Sequence, residues 1–139
     1  MSHGVEWILG WLDTLSGDWL NAHARLNRAK TTFTAGHMIY ELSRVFVTES
    51  ACYLGQGLWD LALNSCERAF QLAAPRNYRL IHADALNLRA RIKLERPDPD
   101  LVGARDAAEA ALQLAEFCDY HWARLDARAL LGRTSSMGE

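Results

Sequence analysis

The chain has 139 residues, half of them hydrophobic and 23% charged, with a formal net charge of −2. That is the composition of a globular chain with a buried core, and the length suits one domain. A sequence pI near 6.2 argues against a nucleic-acid-binding surface, which carries a basic face, and no run approaches the roughly 18 apolar residues of a membrane span.

Period-2 alternation of β-branched and aromatic residues is missing, so the apolar spacing is read as helices throughout. The first helix is expected from Val5 to Ser16. Gly17 and Asp18 then turn the chain, with Asp18 able to cap a second helix from Trp19 to Thr32. Ala35 and Gly36 end that helix, and a long one follows from His37 to Leu54. Gly55-Gln56-Gly57 makes the next turn, before a helix from Trp59 to Ala73 that Pro75 stops. Another runs from Tyr78 to Leu94, halted by Arg96-Pro97-Asp98-Pro99. Asp100 can cap the helix from Leu101 to Phe117. The last segment, Tyr120 to Leu131, gives way to a small, polar tail that is expected to fray.

A repeat lies in this spacing. Gly17 is followed by Ala22, Leu26 and Ala29, and Gly57 by Ala62, Cys66 and Ala69, at identical offsets. Ala104, Ala108 and Ala111 repeat the same internal steps of four and three. Gly17 to Gly57 sets the interval between the first two copies, and Ala62 to Ala104 gives nearly the same interval again. Steps of four and three put the three side chains on one helix face, and alanine there lets a neighbouring helix come close. Asp84-Ala85-Leu86 recurs as Asp126-Ala127, with Leu130 and Leu131 beyond, at the interval that separates Ala62 from Ala104. Each hairpin would bury one face in itself and one against the next hairpin, as stacked repeats do.

A turn glycine followed by this order of small and apolar residues resembles the second helix of a tetratricopeptide repeat (TPR). Leu9-Gly10 before Gly17, Tyr53 before Gly57 and Leu131-Gly132 near the end are similar to the family's leucine–glycine pair and tyrosine. The resemblance implies an all-α fold, a right-handed superhelix of antiparallel helical hairpins. Its hairpins would cover about residues 5–33, 37–74 and 78–117, with a terminal helix at about 120–132, in a single domain over 1–139. The family's common repeat is about 34 residues. The longer spacing here resembles the TPR-like arrays of large bacterial signal-transduction ATPases and regulators. The unpaired Leu131-Gly132 and the lack of an N-terminal capping helix suggest a piece of a longer protein.

In this family the first helices line a concave wall that holds ligands. The resemblance therefore places Trp7, Trp11, Arg44, Thr48, Asp84 and Arg91 on the binding face, with Val47, Ala51 and Leu88 among them. Aromatic and arginine side chains are the types that dominate binding hot spots. Trp7 and Trp11 could equally cap the core of the first hairpin. Trp19, Trp59 and Trp122, near helix starts, are expected between helices. The lysines and asparagines with which some TPR domains grip a C-terminal carboxylate are missing from these faces, though Arg44 and Arg91 could meet an acidic partner.

Catalytic and metal signatures are absent from the spacing. The five histidines and three cysteines form no metal-binding pattern, and there is no phosphate loop or nucleophile elbow. Cys66 falls in the core slot of its repeat, and three cysteines without a close pair suit a reducing compartment, hence the cytoplasm. Met1-Ser2-His3-Gly4 does not open like a signal peptide. The sequence reading is thus a non-enzymatic module, without cofactor or metal, that binds a protein or peptide partner rather than nucleic acid or membrane. The alternative is a homo-oligomeric segment, such as a homodimer, or an intramolecular scaffold or sensor segment of a larger bacterial signalling protein, suggested by the apolar Val5–Leu12 stretch and the resemblance to signalling arrays.

Overall fold

A computed structural model of the chain describes residues 17–138. Within them lie six helices and no strand: α1 (Trp19–Ala35), α2 (Ile39–Gly55), α3 (Trp59–Ala73), α4 (Arg79–Glu95), α5 (Leu101–Phe117) and α6 (His121–Met137). The expected helix from Val5 to Ser16, with Trp7 and Trp11, lies outside the described residues. Each helix packs against the next in sequence. In addition α2 touches α4 and α4 touches α6, whereas α1, α3 and α5 do not touch one another. The arrangement is therefore two rows, with α2, α4 and α6 side by side and α1, α3 and α5 laid against them. This is the all-α stack of helical hairpins expected from the repeat.

The repeat triplets are the seams of that stack. Ala22, Leu26 and Ala29 of α1, Ala62, Cys66 and Ala69 of α3, and Ala104, Ala108 and Ala111 of α5 are all buried. Leu26 joins Phe33, Val45, Phe46, Leu54 and Ile92 in the largest apolar cluster. Burying a leucine of this kind contributes about 2 kcal/mol, and the alanines contribute by allowing the approach. Gly55 shows how tight that approach is, because a β-carbon there would overlap the Trp19 indole.

The turns follow one rule that the glycine pattern only half reveals. A left-handed residue closes four helices, and the amide after it donates back to the carbonyl five residues earlier. The pairs are Met38 to Phe33 O (2.8 Å), Leu58 to Tyr53 O (3.0 Å), Tyr78 to Ala73 O (3.1 Å) and Tyr120 to Ala115 O (2.8 Å). This is the Schellman geometry. Gly57 takes the positive φ within the α2–α3 hairpin, at 74°. Between hairpins it is taken by His37 (55°), Asn77 (57°) and Asp119 (54°), which recur at the interval of the repeat. Gly36, expected to end α1, keeps an ordinary φ of −88°. Histidine, asparagine and aspartate are the non-glycine residues most often found in this conformation. Asp18 and Asp100 cap α1 and α5 as expected, Asp100 Oδ1 accepting from the Gly103 amide at 2.9 Å.

Two expectations need correction. The tail after Leu131 does not fray there, since α6 continues to Met137. Thr134 is fully buried in it, its hydroxyl donating to Leu131 O at 2.8 Å. A small polar side chain that bonds its own backbone can enter a helix interface without an unmet donor. Trp122 does not pack between helices but is 70% exposed, its ring edge-on to His121. Trp19 and Trp59 are half-buried as expected, Trp59 against the main cluster.

Candidate functional site

The row formed by α2, α4 and α6 encloses a groove of about 440 Å³. Residues three and four apart in sequence share a helix face, so α2 presents Arg44, Val47, Thr48 and Ala51 together. By the same spacing α4 presents Ile81, Asp84, Asn87, Leu88 and Arg91, while Tyr120 and Asp126 come from the start of α6. Arg44, Asp84 and Asp126 occupy the same position of three successive repeats. The backbone repeat thus delivers one guanidinium and two carboxylates to one groove.

Asp84 is the electrostatic centre. It is half-buried, and one carboxylate oxygen accepts a hydrogen bond from the Tyr120 hydroxyl at 3.1 Å. Burial pushes its pKa from the ordinary value of 3.8 up to about 6. The Asp126 charge pushes the same way, and the Tyr120 hydrogen bond and the Arg44 charge oppose it. Burial, and then the neighbouring Asp84 charge, raise the Tyr120 phenol, which therefore stays a donor. Tyr120 reaches Asp84 because the Schellman turn at Asp119 fixes it at the N-cap of α6.

Asn87 lies one turn further along α4 and is buried. Its side-chain amide donates to Ala123 O at 3.0 Å, which ties α4 to α6 and fixes which end of the amide is oxygen. Its Oδ1 is buried without a hydrogen-bond partner. It is the lone side-chain atom in that condition among the described residues, and burying an unmet acceptor costs about 1–3 kcal/mol. Arg91 is exposed and paired with Glu95 on its own helix at 3.2 Å. Thr48 is buried and donates to Arg44 O at 3.2 Å.

Of the sequence-derived site residues, Arg44, Thr48, Asp84 and Arg91 line this one groove, while Trp7 and Trp11 lie outside the described residues. Sequence reasoning does not place Ile81, Asn87, Tyr120 or Asp126 there. The signal for Asp126 is present, since its segment repeats that of Asp84. Nothing in the local sequence points Tyr120 at α4.

Three other polar clusters lie away from the groove. Glu49, buried on α2, pairs with Lys30 of α1 and accepts from Ser65 of α3 at 2.8 Å, linking three helices. Arg89 grips Glu67 through two hydrogen bonds of 2.8 Å and lies over the Phe70 ring. Cys52 Sγ lies 3.4 Å from His23 Nε2, but that nitrogen is also 2.8 Å from Gln56 Oε1. An amide oxygen only accepts, so Nε2 carries its proton toward Gln56 and is no base for the thiol. No group of three or more histidine, cysteine, aspartate or glutamate side chains among the described residues could hold a metal ion. No described helix is long and apolar enough to cross a membrane. No protein-family model, no curated protein and no solved structure matches the chain.

Proposed function

We propose that the chain is a TPR-like interaction module that holds a segment of a partner protein in the groove between α2, α4 and α6. The observation that carries this reading is the groove itself. It draws apolar walls and converging polar groups from three helices that are adjacent in space but one repeat apart in sequence. A concave site with a few fixed polar groups on an apolar lining is the usual form of a binding site. The helices that build it are held by buried seams elsewhere, so binding would need no rearrangement of the scaffold.

A peptide-display selection tests it. Wild-type protein and Ala51→Arg, which fills the groove from the α2 wall, are each used as bait after circular dichroism has shown both to be folded. The expected result is a set of peptides that bind the wild type and are lost on Ala51→Arg. Peptides that bind both proteins equally would place recognition elsewhere.

A second reading, self-association or docking within a larger assembly, draws on a different surface. Phe117 and Trp122, which flank the α5–α6 turn, are 72% and 70% exposed, and Arg79 lies 4.9 Å above the Phe117 ring. Sedimentation of the wild type beside a Phe117→Ser, Trp122→Ser variant decides this. A dimer that becomes a folded monomer supports it, and two monomers reject it.

A further inference from the structure

We infer that the groove is built to take an arginine side chain of the partner segment, its aliphatic stem along Val47, Ile81 and Leu88 and its guanidinium between Asp84, Asn87 Oδ1 and Asp126. This rests on the groove being the binding face and names the chemistry it selects.

Asn87 gives an N–H to Ala123 O, and the buried group left without any partner is its acceptor, Oδ1. A ligand that satisfies it must bring an N–H or an O–H, and a carboxylate cannot. Asp84 accepts from Tyr120 through one oxygen, which leaves acceptor capacity on a carboxylate that can take several hydrogen bonds. Asp126 adds a second carboxylate to the same lining.

Charge points the same way. Arg91 is held by Glu95 on its own helix. Counting Glu95 with the arginine it pairs, the charges in and beside the groove are three carboxylates, Asp84, Asp126 and Glu95, against two guanidiniums, Arg44 and Arg91. An acidic partner meeting Arg44 and Arg91 would bring a further carboxylate to this lining and leave Asn87 Oδ1 unmet. Guanidinium fits better than ammonium because its planar fork offers five donors in fixed directions and is more weakly hydrated. One such group can serve a carboxylate and an amide oxygen together, while its methylene stem covers apolar wall.

The test uses three capped tripeptides, Ac-Ala-Xaa-Ala-NH2, with arginine, citrulline or glutamate in the centre. Each is titrated into the isotopically labelled full chain and followed by amide NMR shifts. Citrulline keeps the shape of arginine and removes its charge. The expected result is a saturable shift of the Asn87 side-chain amide and of groove amides on α2, α4 and α6 with the arginine peptide. The citrulline peptide should bind about tenfold more weakly or worse. Asp126→Asn, at an exposed position, and Asp84→Asn, which keeps an acceptor for Tyr120, should each weaken the arginine peptide several-fold while leaving the rest of the spectrum unchanged. Equal binding of the citrulline peptide, or no loss in either variant, overturns the assignment. A glutamate peptide that saturates the same amides more tightly overturns it too but keeps the groove as the binding face. Shifts confined to other surfaces for all three peptides remove both readings.

Discussion

Asp84→Asn is the substitution whose effect the structure specifies most closely. The native carboxylate titrates near 6 instead of 3.8, so between those values the folded state binds a proton that the unfolded chain does not. Stability from this group is therefore greatest in acid and is lost as pH rises through about 6. The shift corresponds to about 3 kcal/mol at most, and access of water to a half-buried side chain brings the expected cost at pH 8 to about 1–2 kcal/mol. Asparagine removes the charge and keeps an oxygen for the Tyr120 hydroxyl. Arg44, Asp126 and Tyr120 all face this position. The informative quantity is the difference in unfolding free energy between variant and wild type, from urea melts at steps between about pH 4 and pH 8. The variant is expected to be the more stable protein above pH 6, by about 1–2 kcal/mol, with the advantage vanishing near pH 4. A difference that is constant with pH would refute the burial argument. A variant that is less stable at pH 8 would show that attraction to Arg44 outweighs desolvation.

Three further outcomes follow from the packing. Lys30→Met removes the cation paired with the buried Glu49 carboxylate while Ser65 still donates to it, and should cost about 2 kcal/mol in urea unfolding, most of it recovered by adding Glu49→Gln. Gly55→Ala sets a methyl into the Trp19 indole and should cost about 1–3 kcal/mol, with the loss reduced in a Trp19→Leu background. Burial pushes the Cys66 thiol up to about 12, and its Sγ lies 3.1 Å from Ala85 O as a donor. Thiol reagents should therefore modify the half-buried Cys118 in the native protein at neutral pH and reach Cys66 only on unfolding, and early labelling of Cys66 would contradict its placement.

The hairpin stack is legible in the sequence because its determinants are local. Four-and-three spacing of alanines, Gly57 at the α2–α3 turn and the capping aspartates Asp18 and Asp100 act within a few residues of themselves. The inter-hairpin turns are less legible because they use His37, Asn77 and Asp119 in a role for which glycine is the expected signal. The tail misleads for a related reason. Thr134, Ser135 and Ser136 look like a fraying end, but burial of Thr134 in α6 is decided by helices elsewhere in the chain. In the groove, Arg44, Thr48, Asp84 and Arg91 can be found from helix phase once α2 and α4 are taken as a row. Tyr120 and Asn87 cannot, because what matters about them is a long-range contact in each case, Tyr120 to Asp84 and Asn87 to Ala123.

The cost of buried polar groups is unevenly distributed across the fold. Buried polar side chains outside the groove are well met. Ser43 donates to Tyr40 O, Ser50 to Ala62 O, Ser65 to Glu49, and Thr134 to Leu131 O. Asn87, whose Oδ1 is the unmet buried acceptor, and Asp84, a carboxylate whose charged form burial disfavours, are both among the residues that line the groove. For folding alone, an apolar residue at 87 or a neutral one at 84 would serve better, since each costs stability that the rest of the molecule must offset. The repeat supplies the means of carrying that cost. Its seams are made by the alanine triplets of α1, α3 and α5, on the row away from the groove, so the position shared by Arg44, Asp84 and Asp126 can vary in charge without disturbing the stack. Polar positions that are separate from packing positions can change one helix at a time, and if the groove holds a partner segment as proposed, exchanging Asp126 for arginine should change which peptides bind while leaving the urea midpoint nearly unmoved.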